Sequence, residues 1–400
     1  ICLMPRFYQG ILWGILVLVA VLSVLKANDN TAWSPVLWQP AYQHEQANEA
    51  IPFYDAMLIP NAGQNSTHSV GVGILPNGDI MAFWFAGSRE GHQDVQIFQT
   101  TFSKIQQTWA EPQPMLDVAY LDDVLGRYIG KIGNPVVFLD SQQRLWLFFV
   151  TVSYGGWAGS NINVMWSQDL GQHWNRPKRL ITSPFINVST LVRNPPVELE
   201  DGSLLLPVYH EFVAQFPESL RISRTGEVMS KTRMFGHNGG IQPVFFQGEA
   251  DTLHALMRSG VHSHEARVKS IQSLDAGQTW QDYKVTNIAN PNAAVVAARA
   301  GEKLWLLVAN DDEESRDNMS LAVSHDLTKP WQMLFQFDQE KGKRFAYPAM
   351  IQGKDGLWHV FYTHERKHIK HIRFNDAWLQ QQMKQQVQQA KKANKSAAIP

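Results

Sequence analysis

The octapeptide Ser167-Gln168-Asp169-Leu170-Gly171-Gln172-His173-Trp174 returns as Ser273-Leu274-Asp275-Ala276-Gly277-Gln278-Thr279-Trp280. A third copy, Ser324-His325-Asp326-Leu327-Thr328-Lys329-Pro330-Trp331, lacks the glycine, and a weaker trace ends at Trp109. The shared pattern Ser-x-Asp-x-Gly-x-x-Trp describes a hairpin turn. Asp and Ser side chains cap backbone amides, Gly takes the positive φ, and Trp packs between neighbouring sheets. Asp169, Asp275 and Asp326 therefore read as structural.

A second repeat surrounds the first: a polar turn followed by an apolar strand. It occurs at Asn77-Gly78-Asp79, Ser141-Gln142-Gln143, Asp201-Gly202-Ser203, Glu249-Ala250-Asp251, Ala300-Gly301-Glu302 and Asp355-Gly356. Six hairpin units, with no long helical pattern between them, predict an all-β, six-bladed β-propeller in which each unit is one blade. The boundaries read as a hydrophobic segment over 1–30, the propeller over 31–375 and a polar Gln/Lys-rich tail over 376–400.

With 44% hydrophobic and 18% charged residues, the chain can bury a core. Lys plus Arg number 35 against 36 Asp plus Glu, so the basic excess of a nucleic-acid binder is missing. The single cysteine, Cys2, precedes the first methionine, Met4, which excludes intrachain disulfides and multi-thiolate metal sites. No Gly-rich phosphate loop or metal-ligand spacing occurs, and neither cofactor nor metal is expected. On a strand, His364, Arg366 and His368 would share one face and Glu365 and Lys367 the other, which also speaks against a metal there.

From Gly10 to Leu25 the chain carries no charge, between Arg6 and Lys26. The favoured expectation is a single N-terminal membrane-anchoring helix, with the membrane as a partner and the propeller outside the cytoplasm, periplasmic or extracellular. The alternative is the core of a signal peptide and a secreted protein.

The octapeptides resemble the Asp-box (BNR) repeats of sialidases, and the chain is similar to the BNR-repeat branch of the sialidase-like superfamily from Phe83 to Ile372. The matching stretches include FWFAGSREGHQDVQIF, GNPVVF, RNPPVELEDGSLLLPVYHE, IQPVFF, NPNAAVVAAR and RFAYPAMIQGKDGLWHVFYTHERKHIKHI. The resemblance implies an arginine clamp for a sugar carboxylate, a tyrosine nucleophile helped by a glutamate, and an aspartate acid/base. Guanidinium forks suit a carboxylate, and a neutral nucleophile avoids repulsion by it.

Carried onto this chain, the resemblance makes Tyr347 the nucleophile. It makes Arg316 a clamp residue, with Arg267 as a second and Arg258 as its rival. Glu90 and Asp94 compete, with Arg89, for the place of the acid. Two positions depart from the pattern: His68 stands near the first-blade arginine's place, and Gln242 in that of the helper glutamate. His68 is a candidate general acid or base. His210 and Glu211 end the third-blade strand LLLPVY and are candidates to touch substrate, as are Asn134 and Asn194, each before a proline.

The implied activity is a sialidase-like glycoside hydrolase, of exo-α-sialidase type, acting on a terminal acidic sugar of a glycan. The alternatives are a uronic-acid polysaccharide lyase, which suits His68 and Gln242, and a non-catalytic glycan-binding propeller. Repeat register adds one expectation. His68, Gln242 and Tyr347 precede their turns by similar distances, so with Arg267 and Arg316 they are expected at one end of the central channel.

Overall fold

The computed structural model describes residues 10–19, 33–38, 51–183, 187–236, 239–260 and 266–397. The chain divides into two compact units, Ile1–Ser34 and Pro35–Pro400. In the first, residues 10–19 are helical, and the remainder of the expected anchor lies outside the described residues. Ten helical residues extend about 15 Å, half the ~30 Å hydrocarbon thickness. Among the described residues no helix is long and apolar enough to cross a membrane. This overturns the expected single-helix anchor, and with it the membrane as partner and location.

The second unit is a six-bladed propeller. The first blade holds strands Ser66–Ile74, Ile80–Gly87, Gln96–Ser103 and Thr108–Trp109; the second, Lys131–Leu139, Leu145–Val152, Ser160–Ser167 and Lys178–Arg179. In the third, the short strands Leu191–Val192 and Val197–Glu198 both pair with Leu204–His210, followed by Phe216–Ile222 and Val228–Arg233. The fourth runs Ile241–Gln247, Leu253–Arg258, Arg267–Ser273, Gln281–Ala289, and the fifth Val296–Gly301, Leu304–Ala309, Asn318–Ser324, Gln332–Gln339. The sixth has Phe345–Gln352, Trp358–His364 and His368–Phe374, and takes its outer strand, Tyr54–Leu58, from the other end of the chain.

Each turn of the second sequence repeat joins the first and second strands of its blade, and the octapeptides join the third and fourth strands. Within them Ser167 Oγ donates to Asp169 Oδ1 (2.7 Å) and accepts from the Gly171 amide (2.8 Å), while Asp169 accepts from the His173 amide (2.8 Å). The Ser273–Thr279 turn repeats these bonds at 2.8 Å each. Gly171 and Gly277 sit at φ 94° and 91°, and a side chain at Gly277 would strike Leu205 of the preceding blade. The third copy, without glycine, makes a different turn, in which Ser324 Oγ donates to the Asp326 carbonyl (2.8 Å).

The core lies between blades rather than within them. One buried cluster joins Val136, Phe148 and Ile162 of the second blade to Val192, Leu206 and Leu220 of the third. Another joins Trp84 and Phe98 of the first to Phe361 and Ile369 of the sixth. The tail begins as a helix, Asp376–Ala397, anchored by buried Trp378 and Leu379; Trp378 stacks on Tyr54 (5.0 Å).

At the seam of first and sixth blades a proton chain is buried. Trp109 Nε1 donates to His371 Nδ1 (3.1 Å), which leaves His371 Nε2 to donate to His359 Nδ1 (2.9 Å) and His359 Nε2 to face Asp355 (3.3 Å). Burial, His359 and Arg373 push His371 well below its usual value, and burial with Lys284 lowers His254 to about 4. The unfolded chain takes up these protons near pH 6.5 while the folded chain refuses them, so stability falls as pH drops below 6.5. We expect denaturant melts to show stability falling by up to about 1.4 kcal/mol per pH unit for each histidine as pH drops below 6.5. His371→Leu flattens this slope.

Candidate functional site

All six innermost strands run away from one end of the channel, and the second strands return to it. Residues at the start of an innermost strand and just after the end of a second strand therefore share that end. The first blade brings His68 and Glu90 there; the third, Arg193, Tyr209 and Glu211; the fourth, Gln242 and Arg258; the fifth, Asn292 and Arg316; the sixth, Tyr347 and Arg366.

The innermost strands open on strained backbone. Ser69, Asn134, Gln242, Asn292 and Tyr347 have φ of 58°, 45°, 54°, 51° and 57°. At four of them the pairing with the second strand slips: between His68 and Gly71, Gly133 and Val136, Ile241 and Val244, and Ala346 and Ala349. A bulge re-aims a side chain, and a left-handed non-glycine residue persists only where its surroundings hold it. Here neighbouring blades do so. Ser69 Oγ donates to Asn134 Oδ1 (3.2 Å), and Asn194 Nδ2 donates to the Gln242 and Pro243 carbonyls (3.2 and 2.8 Å). Asn134 and Asn194 are buried as ties between blades.

Arg193 reaches from the third blade to the sixth. Its Nη2 donates to the carbonyls of Tyr347 (2.8 Å) and Pro348 (3.1 Å), and its guanidinium lies 5.3 Å from the Tyr347 ring. It is 3% exposed and also lines an apolar cavity of about 350 Å³ deeper in the channel, so it separates the site from that cavity. The larger space, about 1090 Å³, opens at the turn end, opposite the site.

Around Tyr347 the groups form one connected set. The His68 ring stands 4.4 Å from the Tyr347 ring, edge to face. His68 Nε2 is 4.0 Å from Glu90, whose carboxylate pairs with Arg366 at 3.0 Å. Arg258 donates from Nε to Asn292 Oδ1 (2.7 Å) and from Nη1 to Gln242 Oε1 (3.0 Å), while Arg316 Nη2 donates to the Asn292 carbonyl (2.5 Å). Asn292 thus gathers both guanidiniums. Gln242 Nε2 in turn donates to Tyr209 Oη (3.1 Å).

The electrostatics follow from burial among cations. His68, 2% exposed and with neither ring nitrogen hydrogen-bonded, is held well below its usual value by burial, then by Arg366, Arg193, Arg316 and Arg344. It is neutral. Burial lowers Arg193 and Arg316 to about 10, Arg316 also through Arg258, and both stay charged at neutral pH. Burial raises Glu211, with Arg258 partly offsetting it, and raises Tyr209. Among the described residues no group of three or more His, Cys, Asp or Glu is arranged to hold a metal.

The model of the BNR repeat-like domain matches residues 78–360, well over half of the chain. The chain belongs to that family. No curated protein sequence matches it. Among solved structures it is similar to a Hadza microbial sialidase, with TM-score 0.65 and 16% identity over 79% of this chain and 67% of that one. A protein of unknown function from Dyadobacter fermentans gives TM-score 0.65 and 14% identity, covering 81% of this chain and 100% of that one. The intramolecular trans-sialidase of Ruminococcus gnavus gives TM-score 0.64 and 13% identity over 80% and 97%. At such identities the likeness shows the fold alone.

Within this BNR-repeat propeller the structure brings together His68, Glu90, Glu211, Gln242, Arg258, Arg316 and Tyr347. It does not bring Arg267 to them. Arg267 opens the third strand of its blade and pairs with Glu313 (2.8 Å), whereas Arg258 ends the second strand and meets Gln242 directly. Asp94 is half exposed, bonded to Ser88 through amide (3.0 Å) and hydroxyl (2.9 Å) and to His92 (3.1 Å). Slight burial works to raise it, but those bonds hold it below its usual value, and it stays an anion of its own loop. Arg89 is exposed, and His210 stacks on Phe216 (4.6 Å).

The expected strand through His364–His368 is instead a hairpin. Glu365 and Arg366 have φ of 54° and 59°, because the second strand must reverse there, and the reversal turns Arg366 towards Glu90. Arg366 carries no sequence signal beyond that turn. Arg193, next to Asn194 in the matching stretch RNPPVELEDGS, and Tyr209 and Asn292 were also not legible as site residues.

Arg193→Met leaves the Tyr347 and Pro348 carbonyls without their donor. We expect a stability loss of roughly 2–6 kcal/mol in denaturant melts, since each buried unpaired group costs about 1–3 kcal/mol.

Proposed function

We propose that this chain is a glycoside hydrolase that removes a terminal acidic sugar of the sialic-acid type from a glycan. The observation that carries the reading is the union of Tyr347, His68 and Glu90 in one contact set beside two guanidiniums gathered on Asn292. Arg258 and Arg316 fork the sugar carboxylate. Its charge offsets the part of the His68 depression that the cations cause, while burial, the larger cause, persists. His68 then takes the phenol proton, and the Tyr347 oxygen bonds to the anomeric carbon. The glycosidic bond breaks as Glu90, an anion in the empty site that takes up a proton from solvent as substrate enters, gives that proton to the leaving oxygen. In the second half Glu90 takes a proton from water, which attacks the anomeric carbon. The Tyr347 oxygen departs and recovers its proton from His68.

A fluorogenic sialoside assay tests this. We expect Tyr347→Phe to lower kcat by roughly 10²–10⁴-fold, and Arg258→Ala to lower kcat/KM about 10²-fold. Glu90→Gln fails on a natural disaccharide but still releases the aryl group of an aryl sialoside, which needs no acid, in a burst followed by slow turnover, because no base then activates water. Equal turnover by wild type and Tyr347→Phe removes Tyr347 from the reaction.

One observation favours a second reading, uronate elimination: Gln242 places a neutral amide beside Arg258, and His68 is an unpaired neutral base beside Tyr347. There the base takes the proton next to the carboxylate and the glycosidic oxygen leaves, forming a conjugated double bond. New ultraviolet absorbance on incubation with uronic-acid polysaccharides identifies it. Binding of acidic glycans without turnover of any substrate identifies a lectin instead.

A further inference from the structure

The site holds more positive charge than one carboxylate answers. Five guanidiniums, those of Arg193, Arg258, Arg316, Arg344 and Arg366, are gathered near His68 and Tyr347 against two carboxylates, Glu90 and Glu211. Three positive charges stand in excess, and a forked substrate carboxylate still leaves two. Uncompensated charge in a partly buried site is costly, and a cleft lined by one sign concentrates ligands of the other.

The surplus is localised. Arg193 is committed to backbone carbonyls, and Arg258 and Arg316 are gathered on Asn292 between the fourth and fifth blades. The other two lie on the sixth blade. Arg344 precedes the strand Phe345–Gln352, Arg366 lies in the hairpin after Trp358–His364, and the Glu365 amide donates to the Arg344 carbonyl (2.8 Å), which sets the two residues side by side. Arg366 reaches Glu90 (3.0 Å), while Arg344 is exposed and pairs with no carboxylate among the described residues. Both act on His68 and on Arg316 through space. An independent feature marks this as a place where ligand atoms belong: His68, 2% exposed, lies 4.0 Å from Glu90 with neither ring nitrogen hydrogen-bonded.

We propose that the preferred substrate carries a second anionic group within one sugar residue of the first, received by Arg344 and Arg366 on the sixth blade. The inference rests on the reading of Arg258 and Arg316 as the carboxylate fork. The second group is an oxyanion, a carboxylate on the next sugar or a sulfate on it.

The test is calorimetric binding to the full chain carrying Tyr347→Phe, so that turnover does not intervene. Three probes are compared: 3′-sialyllactose, its disialyl homologue, and sialyllactose sulfated on galactose. We expect at least one doubly anionic probe to bind about tenfold more tightly than sialyllactose, which of the two identifying the oxyanion, and the preference to shrink in high salt. Arg344→Ala and Arg366→Ala erase the preference, Arg344→Lys retains most of it, and residual sialyllactose binding reports that each variant is folded. Equal affinity for all three probes, with Arg258→Ala abolishing binding, overturns this inference and leaves the carboxylate fork standing. A preference that survives both alanine substitutions together also overturns it. Binding of none of the probes overturns the fork and this inference with it.

Discussion

Closing a ring of six sheets is the constraint on which the rest depends. A propeller's last blade is next to its first, and here the closure is made by five residues, Tyr54–Leu58, paired antiparallel with Lys370–Phe374. Around that joint the chain concentrates its least negotiable contacts. Arg373 pairs with Asp55 (2.6 Å), the Trp109–His371–His359 chain spans first and sixth blades, and the indole of Trp378 covers Tyr54. Buried polar chains with every partner in place specify one arrangement rather than several, which a ring with near-equivalent blades needs.

Closure also dictates what the axis can hold. The innermost strands crowd each other so closely that a side chain at Gly71 would strike the Pro135 carbonyl of the next blade. The site's polar side chains converge where the strands begin, and there the bulges at His68–Gly71, Gly133–Val136, Ile241–Val244 and Ala346–Ala349 open the ladder. The left-handed residues Ser69, Asn134, Gln242, Asn292 and Tyr347 are each unfavourable alone by about 1–3 kcal/mol. The ties from Asn194 and Arg193 to the carbonyls of Gln242, Pro243, Tyr347 and Pro348 make the strain tolerable by satisfying the groups that the bulges expose.

The propeller was legible because its signals are local: a turn needs Ser, Asp and Gly within eight residues, and six turns set the register. The same register placed His68, Gln242 and Tyr347 on equivalent strands. It failed for Arg267, because a side chain's direction depends on which strand of the blade carries it, and Arg258 and Arg267, on successive strands, are close in sequence. Arg193 escaped because its partners, Tyr347 and Pro348, are 154 and 155 residues away across the channel, and no local pattern encodes such a contact. The hydrophobic run after Gly10 misled through composition: lack of charge is necessary for a membrane helix, but the described helix is too short to be one.

In the proposed reaction the two departures from the sialidase pattern compensate each other. A tyrosine nucleophile needs one group that accepts its proton. With Gln242 at the position that the resemblance gives to the helper glutamate, the fourth-blade strand presents a neutral amide, spent on Arg258 and Tyr209. The lost base reappears as His68, against the Tyr347 ring from the first blade, where an arginine could have accepted nothing. The exchange also changes when the base works. A glutamate is basic with or without substrate, whereas His68, depressed first by burial and then by the surrounding guanidiniums, gains proton affinity when an anion screens them. In that proposal the cations that add to the effect of burial on His68 are the same groups that would draw an acidic sugar in.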